Sequence, residues 1–400
     1  MELYLAKQDG QKGKKIALDD MILTKDMPTT AGSKMLENYM SLFDAEVVER
    51  LTASGYAIGG KANVGEMCID LLGETSYYGA VEGEDGTLMT ASAMLVKNGE
   101  AEAAIGLDAN GTPRRAAALN GLVCIKPTYG TVSRFGTVSI ACSGETVTVT
   151  ANDVSTAKNV LDAIVGHDDK DGTSLPEEKC AKVKAAEFVP AKRVAVAKSL
   201  TESAGETVKQ KIAAAIDAFK ANGIEVVEID DSLLLTAKNA WNILMSAELC
   251  NNVSRYDGVK YGYRTKNYTT IDELYTNSRT EAFGELLKTA ILFGSETLSD
   301  YNYMKMYDKG LRIRRVLSEK FDEIFESFDA ILMPVSAKSA YTKADTEANK
   351  YIAYDENLYT APATITGIPA VIAGGVQLLG KAFSENVLLD LAKKLEGAGK

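Results

Sequence analysis

The chain has 400 residues, of which 46% are hydrophobic and 25% are charged, a composition typical of globular proteins. Its 44 Lys and Arg residues are outnumbered by 55 Asp and Glu residues, and the formal net charge of −11 argues against a broad nucleic-acid-binding face. At this length either two domains or one large layered domain is possible.

The hydrophobic pattern of the first half alternates between short apolar segments and helical segments. It predicts a strand at residues 15–18, a helix at 44–54 and a strand at 56–63. A helix at 88–98 follows, and the apolar segment 103–107 then leads into a polar loop at 108–115. The next clear helix covers residues 154–165.

The second half continues the alternation after a Lys- and Glu-rich link near residues 176–192. The pattern predicts strands at 193–199, 224–230 and 329–335, and helices at 206–223, 232–253, 279–293, 299–327 and 384–395. This order predicts an α/β fold with a large, mixed and mostly parallel β-sheet covered by helices on both faces. Because the alternation does not break, we expect one domain over residues 1–400.

Cysteine usage and hydropathy indicate a reduced, cytoplasmic protein. The sequence contains no apolar signal-peptide core at its N-terminus and no run of about 18 apolar residues. The cysteines are scattered without a C-x-x-C pair, which is typical of free thiols; they are Cys68, Cys124, Cys142, Cys180 and Cys250. We expect no metal, no cofactor and no membrane contact.

The single histidine restricts the chemistry that the chain can perform. His167 lies in the polar segment GHDDKDGTS, which is typical of a solvated loop. A Ser-His-Asp triad, a histidine metal site or a histidine general base would each have to use this residue. We therefore expect that any catalysis here does not depend on histidine.

Two short motifs resemble known catalytic or nucleotide-binding patterns but lack their companions. The segment from Gly55 to Lys61 matches G-x-x-x-x-G-K, but Ala62 replaces the required Ser or Thr and the segment runs from helix to strand. The segment from Ser155 to Lys158 matches S-x-x-K, and a polar first helical turn explains it better than a nucleophile–base pair.

Longer strings resemble the amidase signature family, most closely its branch of tRNA-dependent amidotransferase A subunits (GatA). They include KPTYGTVSRFG at residues 126–136, YGYR at 261–264 and GGKANVGEM at 59–67. The similarity covers about residues 14–395. It implies an amidase-signature fold for the whole chain, shortened at the N-terminus because the family's helices before the first strand are missing.

The resemblance also implies that the family's Ser–Ser–Lys triad is replaced. In the family a neutral lysine relays protons through a serine on a cis peptide bond to a nucleophilic serine. The counterpart of the lysine is Asp19, that of the cis-serine is Leu88, and that of the nucleophile is Thr112. Only Thr112 keeps a hydroxyl, and its proton would need a base.

The substrate-binding positions that the resemblance implies are altered as well. Backbone N–H groups around the nucleophile form the oxyanion hole in the family, and a tyrosine, an arginine and an aspartate hold the glutamine substrate. The counterparts in this chain are Ala109, Asn110 and Gly111 in the loop, and Trp241, Ala290 and Asn357 at the three side-chain positions. The charged groups that would hold the substrate's carboxylate and ammonium are replaced.

Three hypotheses follow. The first is a catalytically inactive pseudoenzyme that acts through binding a ligand or a partner, with GatB-like, GatC-like or GatA-like proteins as the first partners to test and no direct nucleic-acid contact. The second is an amidase or a glutamine amidotransferase of the GatA type with altered chemistry that uses Thr112. The third is a decaying paralogue without a selected role.

Overall fold

The fold is known from a computed structural model that describes residues 2–8, 10, 12–184 and 187–396. These residues form thirteen β-strands, eleven of which share one sheet. In chain order the strands are β1 (Tyr4–Lys7), β2 (Lys15–Asp19), β3 (Ala57–Ala62), β4 (Val81–Glu82), β5 (Leu88–Met89), β6 (Ala103–Asp108), β7 (Val123–Lys126), β8 (Thr146–Ala151), β9 (Arg193–Ala197), β10 (Glu225–Ile229), β11 (Ala330–Met333), β12 (Ala370–Ala373) and β13 (Val376–Gly380).

The large sheet is mixed, with the strand order β1-β3-β2-β6-β8-β7-β12-β13-β11-β9-β10. Four neighbouring pairs are parallel: β2 with β3, β2 with β6, β9 with β10, and β9 with β11. The other six pairs are antiparallel. A large mixed sheet is thus confirmed, but the expectation that its pairs would be mostly parallel is wrong. Strands β4 and β5 form a separate antiparallel hairpin.

Fourteen α-helices accompany the sheet in the described part of the chain. They are α1 (Glu46–Ala53), α2 (Ala91–Lys97), α3 (Thr112–Asn120), α4 (Val154–Ile164), α5 (Glu177–Val183), α6 (Lys198–Ser203), α7 (Glu206–Ala221), α8 (Ala237–Asn252), α9 (Ile271–Ala282), α10 (Glu285–Thr297), α11 (Tyr307–Phe325), α12 (Lys343–Ala348), α13 (Ile352–Thr366) and α14 (Glu385–Leu395). None of the helices in the described ranges is long and apolar enough to cross a membrane.

The packing of helices on the sheet follows from the sequence pattern. In α7 the buried residues Val208, Ile212, Ala215 and Phe219 recur at the spacing of one helical face. Strands β3, β6 and β8 are instead buried at every position, so both of their faces are covered. Helices therefore pack on both sides of the central strands, as the sequence predicts.

Several predicted boundaries are wrong. The helix expected at 88–98 begins only at Ala91, because Leu88 and Met89 form β5. The polar loop expected at 108–115 ends early, because α3 begins at Thr112. The helix expected at 279–293 is two helices, α9 and α10, which are separated by residues 283–284. The long helix expected at 299–327 begins only at residue 307.

Candidate functional site

The candidate site lies where two parallel strands end. Strands β2 and β6 are parallel neighbours, so their carboxyl ends meet at one edge of the sheet. Strand β2 ends at Asp19, and β6 ends at Asp108, only four residues before Thr112 opens α3. The two positions that the resemblance assigns to the lysine and to the nucleophile therefore come together.

Asp19 and Thr112 line the same small cavity. Within it, the centre of a water-sized molecule can occupy a volume of about 20 Å³. Its walls come from the ends of β2 and β6, the segment 63–73, and the first residues of α2 and α3. Ser92 and Asp70 also line it. A volume of this size holds about one water molecule and is too small for an amide substrate.

Burial dominates the electrostatics of Asp19. The side chain is inside the protein, and this desolvation raises the pKa of Asp19 to about 7. The nearby Ser92 hydroxyl and the Leu107 N–H favour the ionised form and oppose the shift, whereas the neighbouring Asp20 adds to it. The carboxyl oxygen Oδ1 has no hydrogen-bond partner among the described residues.

The hydroxyl of Thr112 has its proton engaged elsewhere. It donates a hydrogen bond of 3.0 Å to the backbone carbonyl of Asp70. The buried amine of Lys61 instead forms its hydrogen bonds with Asp20, Thr29 and the carbonyl of Ile22. In the described contacts, therefore, no amine is hydrogen-bonded to the Thr112 hydroxyl.

Leu88 does not line the cavity, whereas Ser92 does. Leu88 lies in β5, donates its backbone N–H to the carbonyl of Tyr341, and lines an outer groove instead of the cavity. Ser92 lies in α2, lines the cavity and interacts with Asp19. Ser92 was not predicted as a site residue, although the resemblance aligns it, four residues after Leu88, with another serine of the family.

The loop that corresponds to the oxyanion hole is held by internal hydrogen bonds. The Ala109 carbonyl accepts from the Trp241 indole N–H at 2.8 Å. The Asn110 amide donates to the carbonyl of Ile69, also at 2.8 Å. The Gly111 N–H donates to Asp108 at 3.0 Å, so this N–H is not free to stabilise an oxyanion.

Trp241 occupies space beside this loop. Its side chain is fully buried in α8, and a Cβ added at Gly144 would lie only 2.2 Å from the ring. The ring therefore packs directly on the Gly144 backbone and bonds to the carbonyl of Ala109. The indole therefore fills volume beside the loop of residues 109–111, and it is not among the residues that line the cavity shared by Asp19 and Thr112.

The remaining two predicted substrate positions are also buried. Asn357 lies in α13, where its amide donates to Asn242 at 2.6 Å and its carbonyl oxygen lies 3.4 Å from the hydroxyl of Thr360. Ala290 lies in α10, which packs against α8. Both side chains are completely enclosed.

A buried ion pair fixes the backbone around the site. Arg114 contacts Asp108 at 2.7 Å, and both side chains are fully buried. Although burial opposes ionisation, the Arg114 guanidinium holds the pKa of Asp108 below its usual value. Arg114 also donates to the carbonyl of Thr360 and to the side chains of Gln377 and Thr364, so it joins α3 to α13 and β13.

The other motifs have structural partners. Lys61 lies in β3, is fully buried and forms an ion pair with Asp20, so it does not reach out to a phosphate. Lys158 pairs with Asp162 one turn further along α4. His167 is on the surface, where its ring nitrogens contact the Leu175 carbonyl and Asp169.

Comparison with known proteins identifies relatives along nearly the whole chain. A protein-family model described as "Amidase" matches residues 12–389. The glutamyl-tRNA(Gln) amidotransferase A subunit of Latilactobacillus sakei subsp. sakei (strain 23K) is 36% identical over 393 residues, which cover 93% of this chain and 80% of that protein. The protein of the same name from Lachnoclostridium phytofermentans is 36% identical over 415 residues, with coverages of 96% and 83%.

Solved structures resemble the fold over similar lengths. The glutamyl-tRNA(Gln) amidotransferase A subunit from Thermotoga maritima superposes with a TM-score of 0.80 at 26% identity, covering 98% of this chain and 87% of that one. An allophanate hydrolase from Kluyveromyces lactis gives a TM-score of 0.81 at 22% identity, covering 97% of this chain and 62% of that one. The second likeness concerns the fold alone.

Proposed function

The chain belongs to the amidase family, and we propose that it is a GatA-like pseudoenzyme that acts through binding instead of amide hydrolysis. The observation that carries this proposal is the composition of the cavity at the ends of β2 and β6. A carboxyl group, Asp19, stands where the family resemblance assigns the lysine, and the only hydroxyl assigned to the triad, that of Thr112, donates to a backbone carbonyl.

The chemistry of a threonine nucleophile supports the same conclusion. Its hydroxyl must lose a proton to a base before or during attack. Asp19 becomes available as a base only above its pKa of about 7, and its nearby hydroxyl partner is Ser92. Loss of whole catalytic groups in a comparable serine hydrolase slows the reaction by about a million-fold.

The space around the nucleophile position gives a second, independent support. The cavity beside Thr112 has room for about one water molecule, and Trp241 packs against Ala109 and Gly144 on the other side of the loop. Among the described residues, therefore, no lysine lines this cavity, and its volume is smaller than an amide substrate requires.

The test of inactivity is ammonia release from glutamine, asparagine and simple amides. We expect the wild-type protein and Thr112→Ala to release ammonia at the same background rate. Thr52→Ala, which changes an exposed threonine on α1, is the matched control for the substitution itself. Turnover that depends on Thr112 and not on Thr52 would overturn the proposal.

One observation favours the alternative, an amidase or a GatA-type amidotransferase with altered chemistry. Ser92 provides a second hydroxyl in the cavity, near Asp19, which could pass a proton between Thr112 and Asp19. In that reaction the Thr112 oxygen attacks the amide carbon, and its proton reaches the leaving nitrogen, which departs as ammonia. Water then hydrolyses the acyl ester to the acid. A Thr112-bound acyl group seen by intact-protein mass spectrometry, and lost in Ser92→Ala, would establish this alternative.

The partner that we propose first is a GatB-like or GatC-like protein, with a GatA-like chain as the second choice. The basis is the similarity to the A subunits of glutamyl-tRNA(Gln) amidotransferases over more than nine-tenths of this chain. We expect the tagged full-length protein, co-expressed with GatB and GatC, to retain at least one of them through size-exclusion chromatography. Elution of the chain alone under these conditions, and also with GatA, would remove the partner version of the proposal.

A further inference from the structure

The small cavity contains a buried oxygen atom that no described residue satisfies. Asp19 is only 4% exposed, and its Oδ1 lacks a hydrogen-bond partner among the described residues. An unpaired buried carboxylate oxygen is costly, because the protein interior replaces water poorly as a solvent for charge. Either a proton or a guest in the cavity must therefore satisfy this oxygen.

Several other polar groups around the cavity have their hydrogen-bond donors engaged, and the Ser92 hydroxyl already interacts with Asp19. The Thr112 hydroxyl already donates to the Asp70 carbonyl, so only its lone pairs remain. The Asp70 carboxylate accepts from the Gly73 N–H and from the backbone and hydroxyl of Thr75. The ammonium of Lys61 is held by its own partners. A guest beside Asp19 must therefore supply hydrogen-bond donors or positive charge.

Size and charge restrict the guest further. About 20 Å³ admits a particle the size of a water molecule and excludes amino acids and amides. Calcium and magnesium carry two positive charges, whereas Asp19 supplies the one unpartnered carboxylate oxygen among the described residues that line this cavity. A single negative oxygen balances a single positive charge.

We propose that the cavity beside Asp19 binds one compact monovalent cation, such as ammonium, sodium or potassium. The Asp19 carboxylate and the lone pairs of Thr112 and Ser92 surround the ion, and the ion replaces the proton that Asp19 would otherwise hold. Ion binding at this cavity does not depend on the inactivity of the protein. It would keep Asp19 ionised and would stabilise the junction of β2, β6, α2 and α3.

The experiment measures the melting temperature in chloride salts at constant ionic strength and about pH 8, where Asp19 is ionised. The salts are those of ammonium, sodium, potassium and choline, and choline is too large for the cavity. We expect the melting temperature to rise with the logarithm of the concentration of at least one small cation and to stay constant in choline. A melting temperature that rises only with ammonium would indicate an ion held by its own hydrogen-bond donors. A melting temperature that rises with sodium or potassium would indicate a spherical ion held by oxygen lone pairs.

Two variants test whether the effect belongs to this cavity. Asp19→Asn should abolish the dependence on small cations, whereas Asp26→Asn, at an exposed position, should retain it. The same melting temperature in choline as in the other salts would overturn the proposal, because it would indicate that water or a proton satisfies Asp19. Persistence of the cation effect in Asp19→Asn would overturn it equally.

A second measurement needs only the wild-type protein and so does not depend on the folding of Asp19→Asn. Near pH 7 part of the Asp19 population holds a proton, which a bound cation must displace. Addition of the small cation to a weakly buffered solution should release a fraction of one proton per chain, and addition of choline should release none. Absence of cation-specific release at this pH would contradict the proposal.

Discussion

At the scale of residues, the site is defined by Asp19 and Ser92, which interact with each other in the small cavity. The resemblance assigns the lysine position to Asp19 and the nucleophile position to Thr112, and the fold brings both to one cavity. It assigns Leu88 to the relay position, but this side chain lines a different groove, and Ser92 stands near Asp19 instead. The ends of the strands could be predicted because they depend on the local sequence pattern. The side chains that close a cavity could not, because they depend on packing between segments that are distant in the sequence.

Trp241 illustrates the same limit. The sequence comparison identifies it as the replacement for a substrate-binding tyrosine, but its contacts involve Gly144 and Ala109, about 100 and 130 residues away along the chain. Nothing in the local pattern of α8 indicates that its indole would pack on a glycine. A bulky aromatic side chain at a former substrate position could be predicted, but not the volume that it fills.

Asp19 should make the stability of the folded protein depend on pH. Its pKa is about 7 in the folded state against an ordinary value of 3.8, so the folded state holds a proton more tightly than the unfolded chain does. The stability that protonation of Asp19 contributes to the folded state is therefore fully present below about pH 4, and it is lost as the pH rises through 7. The difference between the two pKa values corresponds to about 4 kcal/mol in the free energy of unfolding.

The measurement is the free energy of unfolding of the wild type and of Asp19→Asn from pH 5 to pH 8, in choline chloride to exclude small cations. Relative to Asp19→Asn, the wild type should lose stability from pH 5 to about pH 7 and level off above it, because only the wild type has to ionise a buried carboxyl group. Asp26→Asn, at a surface position, should follow the wild-type curve. Parallel curves for the wild type and Asp19→Asn would show that Asp19 does not titrate in this range.

At the scale of elements, local signals predict most helices and fail where tertiary contacts decide. Gly111 adopts a φ of 83° and precedes α3, so the helix starts within a segment that looks like a polar loop. Between α9 and α10, Glu66 accepts the backbone N–H of Gly284, and this contact ends one helix and starts the next. The helical pattern on either side is continuous, so sequence periodicity alone could not locate the break.

The directions of the strands could not be predicted from the sequence, for a related reason. Strands that are apolar along their whole length are typical of parallel sheets, because helices cover both faces. Here β6, β7 and β8 are buried along their whole length, yet β6 and β7 are both antiparallel to β8, and β12 and β13 form a further antiparallel pair beside them. Burial on both faces was predictable, but the direction of each strand depends on how its connections cross the sheet.

Arg114 should be the side chain that most stabilises the contact between α3, α13 and β13. It is fully buried and pairs with Asp108, so its removal would leave an uncompensated charge inside the protein. We expect Arg114→Ala to lower the free energy of unfolding by about 3–5 kcal/mol. Arg315→Ala removes an exposed ion pair with Glu319 on α11 and should cost about 0–1 kcal/mol.

Chemical denaturation monitored by far-UV circular dichroism would measure both losses. A second variant separates charge from packing: Asp108→Asn combined with Arg114→Met replaces the pair with uncharged groups. If the unpaired charge is the main cost, this double variant should be more stable than Arg114→Ala. An Arg114→Ala variant no less stable than Arg315→Ala would contradict the role assigned to the buried pair.

At the scale of the whole molecule, the sheet joins segments from both ends of the chain. Strands β12 and β13, from residues 370–380, lie between β7 and β11. They therefore connect the strands of the first 151 residues to β9, β10 and β11 from the second half. The single domain expected over residues 1–400 stays a prediction; in the described part of the chain, neither half of the sheet is complete without the C-terminal strands.

Unfolding should consequently be a single cooperative transition. Trp241, the one tryptophan of the sequence, reports on the core formed by α8, α11 and the β9–β11 side of the sheet. Ile372 in β12 packs instead in the core around α2 and α3. Because β12 and β13 join these cores, we expect tryptophan fluorescence and far-UV circular dichroism to give the same denaturation midpoint.

The variant Ile372→Ala tests the coupling between the two cores. The side chain is fully buried, and its truncation should cost about 2–5 kcal/mol. If the chain unfolds as one unit, the loss must shift the Trp241 transition as far as it shifts the circular dichroism transition, although Ile372 belongs to the other core. A fluorescence midpoint that stays in place while the circular dichroism curve splits into two steps would instead demonstrate two independent folding units.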